Sequence, residues 1–360
     1  MKMKSQNLDI QLFKFLYSWV IVLYHLASNT AIVCNGGYIG VEYFLLSAGV
    51  FLFVAFQRGE EKGNLQTPVQ YLVKRFLRFL PWSVTAFVLT VTVKRGWIES
   101  TTSLVDWMDH FSRDVWEMLM VSMNGINDNI FLLNGPAWTL SAMLIVGFFI
   151  WTFMYYYKKS FLNLIMPLTL VVGFGFWMHL DSADTHRWIG FTNFGTFRAW
   201  IIMCLSFYCI PLSRKLGEYP FNRLGKILLT AVEILIHICA MVVMYGRATR
   251  HWQFLLTLLF MISISIALSG HSYLAKLLEK SKMVSVLGEL SMSIYLVHFS
   301  VIWGFRHVVD ISEWSLVQCV PFFLVLLVTA AIHCIVTKWI IRVFPSLWRK
   351  FLGMITDKEM

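Results

Sequence analysis

Charge is scarce in this sequence. Of 360 residues only 14% are Asp, Glu, Lys or Arg, against about 25% in a soluble globular domain, which excludes an ordinary water-facing surface. Acids are the rarer sign, 20 against 30 Lys and Arg. The resulting excess of +10 is not gathered into a basic cluster interleaved with polar surface, so no nucleic-acid face is expected. Cysteine is sparse too. Cys34, Cys204, Cys209, Cys239, Cys319 and Cys334 are scattered, mostly within apolar runs and without ligand spacing. They read as small buried hydrophobes, and no metal site is expected. Internal repeats, low-complexity tails and a soluble appendage are also lacking. What the sequence holds instead is apolar: 58% hydrophobic residues, with Phe 30, Trp 15 and Tyr 13. Aromatic rings in such numbers suit lipid and its boundary. The fold class that follows is all-α, a polytopic membrane protein.

Ten apolar runs bounded by charge or turn residues read as crossings, at about 10–32, 38–56, 76–93, 137–157, 162–180, 197–213, 227–245, 252–269, 285–305 and 316–341. An even number places both termini on one side. Counting loop cations on that side gives 21 of the 30 Lys and Arg, against 8 opposite, with Lys14 inside the first run. The excess marks the cytoplasm, so both termini are expected there. The first run is too long, and lacks the small-residue site, for a cleaved signal peptide. One membrane domain over 8–345 and a short cytoplasmic tail at 346–360 complete the expected organisation. Two connections are long. Residues 57–75 lead into QYLVKRFLRFLPW, read as an interfacial helix kinked or begun at Pro81. Residues 94–136 form the one sizeable outer loop, with Trp97, Trp107 and Trp116 and a polar SMNGINDN stretch. It reads either as a grip for a sugar or headgroup, or as an interfacial helix with a solvated face.

The first run, LDIQLFKFLYSWVIVLYHLASNTAIV, carries Lys14 and His25, and an ionisable residue inside a span is a functional candidate by default. Eleven positions apart, they share nearly one helix face, about 16 Å apart along the axis. Glu42, early in the second run, is expected at a depth comparable with His25, where a carboxylate would fix the imidazole's tautomer and raise its basicity. The bland alternatives are a packing histidine and a solvated interfacial glutamate. Lys74, Arg75 and Arg78 lie at the cytoplasmic side, where guanidinium groups would grip phosphates; contact with anionic lipid explains them equally well. His298 lies deep in a late run near the expected depth of His25. Glu233 with His237, four apart, read as a self-satisfying pair, and His333 as structural.

These segments together resemble the acyltransferase 3 family of integral-membrane O-acyltransferases. The family's Arg or Lys, ten residues, then His is matched by Lys14 and His25 in LFKFLYSWVIVLYHL. Its G-V-[DE]-x-F-F-x-x-S-G segment resembles GVEYFLLSAG, with Glu42 as the acid, and K-R-x-x-R-x-x-P resembles KRFLRFLP, with Lys74, Arg75, Arg78 and Pro81. GPAWTLS at 135–141 resembles G-P-L-W-S-L, and SMSIYLVH ending at His298 resembles S-x-x-x-Y-L-x-H. Departures are Ala48 for a serine, Met143 and Leu144 where many members carry an acid, and Lys14 for the usual Arg.

The resemblance implies transfer of an acyl group, acetyl in the first instance, from cytoplasmic acyl-CoA to a hydroxyl of a cell-surface glycan or lipid-linked saccharide, at a bacterial cell membrane. Acetyl-CoA is then a donor substrate rather than a bound cofactor. Its phosphates would meet Lys74, Arg75, Arg78 and Lys14. His25, oriented by Glu42, would take the acceptor's proton; His298 or Trp138 would assist the oxyanion. Direct attack and a transient acyl-histidine both stay open. The rival reading is a multi-pass transporter or flippase using the same buried charges, against which no inverted repeat or paired broken helices are visible.

Overall fold

The computed structural model describes residues 7–123, 133–179, 185, 187–190, 192–246 and 250–343. Most of the expected SMNGINDN binding stretch and the tail at 346–360 lie outside these residues. The described chain is helical apart from one two-stranded hairpin. The helices are α1 (Leu8–Ala27), α2 (Gly40–Glu61), α3 (Pro68–Val91), α4 (Leu104–Met118), α5 (Trp138–Ser160), α6 (Met166–Trp177), α7 (Phe194–Leu205), α8 (Cys209–Glu218), α9 (Arg223–Tyr245), α10 (Arg250–Ser269), α11 (Tyr273–Leu278), α12 (Lys282–Val308) and α13 (Val320–Val343). Strands β1 (Trp188–Ile189) and β2 (Thr192–Asn193) pair antiparallel.

Among the described residues, nine helical stretches are long and apolar enough to cross a bilayer. They match a polytopic membrane protein. The expected fourth and fifth crossings fall in one stretch, Gly135–Trp177, of 43 residues, interrupted where Tyr157 leaves helical geometry (φ −135°, ψ 36°). The third crossing also differs from expectation. TPVQ forms a capping box: Gln70 N donates to Thr67 Oγ1 (3.3 Å) and Thr67 N to Gln70 Oε1 (3.0 Å), with Pro68 in the first turn. The helix therefore starts at Pro68, and Pro81 sits inside it. Thr85 Oγ1 donates to the Pro81 carbonyl (2.8 Å) in the turn that follows the proline. KRFLRFLP is thus carried on a continuous 24-residue helix.

The chain divides into two compact units, one of Met1–Ala55, Leu162–Ala183 and Trp200–Met292, the other of Phe56–Phe161, Asp184–Ala199 and Ser293–Met360. In the first, α1 packs against the start of α2 and against α9 and α10. A Cβ on Gly37 would come within 2.6 Å of Tyr24 Cβ and the Val20 carbonyl, so only glycine allows the chain to turn this close to α1. The same turn is fastened to the end of α9 by Gly36 N donating to the Met244 carbonyl (2.9 Å). Thus the end of α1, the start of α2 and the end of α9 gather at one end of this unit. Lower in it, Tyr17 Oη meets His237 Nδ1 (2.6 Å), Ser263 Oγ meets His237 Nε2 (2.7 Å), and Phe13 stacks on the imidazole at 3.3 Å. Glu233 accepts from Ser272 Oγ (2.6 Å). The expected Glu233–His237 pair is replaced by these separate partners, because Tyr17 and Ser263 on other helices occupy both ring nitrogens of His237 and leave none for Glu233.

In the second unit α3 packs on α5 and α13. Tyr71 stacks on Trp151 (4.2 Å), whose Nε1 donates to the Gln66 carbonyl (3.0 Å). His333 bonds Ser293 Oγ (3.0 Å) through Nδ1, and Thr85 Oγ1 (2.9 Å) through Nε2. This is a core histidine with both nitrogens occupied, as its structural reading requires.

Candidate functional site

Lys14, His25 and Glu42 belong to the first unit, and Lys74, Arg75, Arg78 and His298 to the second. On α1 the stripe of Lys14, Ser18, Ile21 and His25 faces one way, since steps of three and four residues return to one face. Ser18 is fully buried and Ile21 is 1% exposed, while Lys14 and His25 are half-buried. This face therefore points into protein. The Lys14 ammonium lies 5.2 Å from the centre of the Phe51 ring on α2.

Glu42 is in the first turn of α2 and fully buried. A helix N-terminus favours a carboxylate there, through the partial positive charge of its unpaired N–H groups. Gln253 Nε2, from the first turn of α10, donates to Glu42 Oε1 at 2.6 Å. Gly40 lies beside Tyr17 and Ile21, so Glu42 stands about two turns, roughly 10 Å of rise, nearer the start of α1 than His25 does. That offset replaces the single depth expected from the sequence. Side chains on both helices lean toward their own N-termini. On antiparallel neighbours this inclines His25 and Glu42 toward one another.

In the second unit the basic segment lies on α3. Lys74 and Arg78 are exposed; Arg75 is half-buried. The Arg75 guanidinium sits 5.9 Å from the Tyr71 ring centre and 5.3 Å from that of Phe79, one turn to either side. Such flanking rings hold the guanidinium plane and leave its edge for oxygen ligands. Arg75 Nε is buried without a hydrogen-bond partner among the described residues. A phosphate oxygen is the kind of group that this donor fits.

His298 is fully buried on α12. Its Nδ1 donates to the carbonyls of Tyr295 (2.7 Å) and Ile294 (3.3 Å), which leaves Nε2 as the acceptor nitrogen. The GPAWTLS segment packs directly on this part of α12. Asn134 Nδ2 donates to the Leu296 carbonyl (2.7 Å), Thr139 Oγ1 bonds Tyr295 Oη, and a Cβ on Gly135 would lie 3.0 Å from the Phe299 ring. Two segments far apart in sequence thus meet around one histidine.

Two buried groups escaped the sequence reading. Arg198, counted there as an outer-loop cation, is 1% exposed and 5.1 Å from the Trp138 ring centre. Its place at the start of an apolar run was the available signal. Gln253, a lone amide in HWQFLLTLLF, gave a similar one. Part of the long 94–136 connection is helical. Helix α4 exposes Leu104, Val105, Met108 and Phe111 and buries Asp114 and Glu117. It has the form of an interfacial helix: beside these apolar residues it exposes Asp106, Asp109, Ser112 and Arg113, the expected solvated face. Arg95 pairs with Asp114 (3.1 Å) and Glu99 (2.7 Å), and the Glu117 carboxylate accepts from Asn134 N at 3.1 Å. Burial, helped by the nearby Asp114 charge, pushes the Glu117 carboxyl up to about 8, although Asn134 N–H and Arg95 oppose it.

The family whose description is an acyltransferase domain, acyltransferase 3, matches residues 7–339. The chain belongs to the acyltransferase 3 family. No curated protein and no solved structure matches it. The match takes in every acyltransferase 3 segment described above, from Lys14 through His298. Membership makes the protein a membrane acyltransferase, and its chemistry acyl transfer. Among the described residues no group of three or more His, Cys, Asp or Glu is placed to hold a metal ion.

Proposed function

We propose that this protein moves an acetyl group from cytoplasmic acetyl-CoA to a hydroxyl of a cell-surface glycan or lipid-linked saccharide, as a multi-pass protein of the bacterial cell membrane. In this reading ten crossings put both termini on one side, and the excess of loop cations on that side supports the cytoplasm. Nine apolar stretches become ten crossings because 43 residues of helix span about 65 Å, twice the hydrocarbon thickness.

Arg75 and Arg78, with Lys74 and Lys14, take the phosphates of the donor at the inner face. The slim pantetheine arm carries the thioester toward His25. His25, oriented by Glu42, accepts the hydroxyl proton as the oxygen attacks the thioester carbonyl. A C–O bond forms, the C–S bond breaks, and the proton passes from the imidazole to the departing thiolate. The developing oxyanion needs preorganised donors, a role assigned to the region of His298 and Trp138. The observation that carries this reading is the buried stripe of α1, on which Lys14 and His25 flank Ser18 and Ile21.

Mass spectrometry of surface polysaccharide tests it. Cells carrying the protein gain one acetyl mass per modified residue, and cells carrying His25→Ala at equal protein level do not. Undiminished acetylation by that variant removes His25 as the base. Acetyl-CoA-dependent ester formation by purified protein in detergent separates an enzyme from a transporter.

A further inference from the structure

The buried amide on α10 points to a further member of the transfer site. Gln253 is 1% exposed, and its Nε2 lies 2.6 Å from Glu42 Oε1. In this hydrogen bond the amide presents its NH₂ to Glu42 and turns its carbonyl away. That carbonyl, Oε1, is buried with no hydrogen-bond partner among the described residues. A side chain kept only to tie α2 to α10 has no use for a second, unsatisfied buried acceptor. The fold end is also the relevant one. Gln253 opens α10, Glu42 opens α2, and His25 closes α1, while Cys34 Sγ and Gly36 N fasten the α1–α2 turn to Met244 at the end of α9.

We propose that Gln253 both positions Glu42 and binds the acceptor: its Nε2 fixes the Glu42 carboxylate, and its Oε1 accepts a hydrogen bond from an acceptor hydroxyl next to the one that is acylated, whose own proton goes to His25. The inference rests on Glu42 and His25 acting as described above. It gives the acceptor a chemical requirement: a second hydroxyl beside the reacting one, free to donate to the Gln253 carbonyl.

The test uses membranes of the producing cell, whose own glycan is the acceptor, supplied with radiolabelled acetyl-CoA. Gln253→Met keeps the volume and removes both polar functions. Turnover is expected to fall tenfold or more, with the KM for acetyl-CoA unchanged. In Gln253→Gly, acetamide is expected to restore turnover and acetone, of the same shape without N–H, is not. Thioacetamide, which keeps the N–H but accepts poorly, is expected to restore less than acetamide. Wild-type turnover in Gln253→Met, no rescue by acetamide, or equal rescue by acetone overturns the proposal. Equal rescue by thioacetamide overturns the hydroxyl contact. Glu42→Gln and His25→Ala are run beside them: activity retained there sinks the parent reading, whereas their loss beside an active Gln253→Met sinks this inference alone.

Discussion

At residue scale one amino acid is built for packing in one place and proposed for chemistry in another, as the histidines illustrate. His333 has a hydroxyl on each ring nitrogen. Replacing it by alanine strands buried hydroxyls at a cost of about 1–3 kcal/mol. His333→Ala should therefore lower the thermal midpoint in detergent while the folded fraction keeps its turnover, a pattern opposite to that of His25→Ala. Arg75, flanked by Tyr71 and Phe79, is expected to act on donor binding. Losing a charge-assisted hydrogen bond is worth about 1.5–3 kcal/mol, so Arg75→Ala should raise the apparent KM for acetyl-CoA about tenfold or more. Arg75→Lys should recover little, because an ammonium has neither the plane to lie between the rings nor the fork for phosphate. Initial rates against acetyl-CoA concentration check both. Sequence spacing was enough to place Lys14 and His25 on one face. It could not find the partners of Glu233 or His237, Ser272 for the one and Tyr17 and Ser263 for the other, because they come from other elements of the fold.

Helices add a second layer, where local signals serve some elements well and others badly. TPVQ carries the start of α3 openly, through a capping box and a proline that needs no N–H donor in the first turn. Pro81 misleads, because a proline can be accommodated within a long helix that packs on its neighbours. For α4 the composition alone gave an amphipathic helix, but the direction of its faces depends on what it meets: Arg95 draws Asp114 inward, and Asn134 N–H draws Glu117. This burial makes α4 sensitive to pH. The folded carboxyl of Glu117 titrates at about 8 against an ordinary 4.5, so between those values the folded state holds more protons than the unfolded one. Stability from this group is present below the lower value and is lost as pH rises through the upper one, by at most about 1.4 kcal/mol per unit. Amide hydrogen exchange in α4 should thus quicken as pH rises from the lower value to the upper, beyond the intrinsic base-catalysed trend. Glu117→Gln, neutral throughout, should flatten that excess. An unchanged pH dependence in the variant would move the effect to another group.

Membrane topology is the property of the whole molecule that hydropathy approached most closely, and the place where it needed the backbone to finish. Apolar length alone cannot divide Gly135–Trp177, since residues on both sides of the break are equally greasy. The division comes from Tyr157, whose dihedral angles leave the helix, and from what surrounds it. Tyr155, Tyr156 and Tyr157 are exposed, and Lys158 pairs with Glu60 at 2.5 Å. Exposed tyrosines followed by two lysines have the composition of a membrane boundary, and the proposal takes the positive charge to mark its cytoplasmic side. The proposed topology therefore puts Lys159 inside and Thr102, an exposed residue just ahead of α4, outside. In a Cys239→Ser background, which removes the one exposed cysteine among the described residues, Thr102→Cys should react with a membrane-impermeant maleimide in intact cells. Lys159→Cys should react only after permeabilisation. Labelling of Lys159→Cys from outside would reverse the charge argument. It would also place Arg75 and Arg78, joined to the same side through the Glu60–Lys158 contact, where no cytoplasmic acetyl-CoA reaches them, and the donor would have to be sought elsewhere.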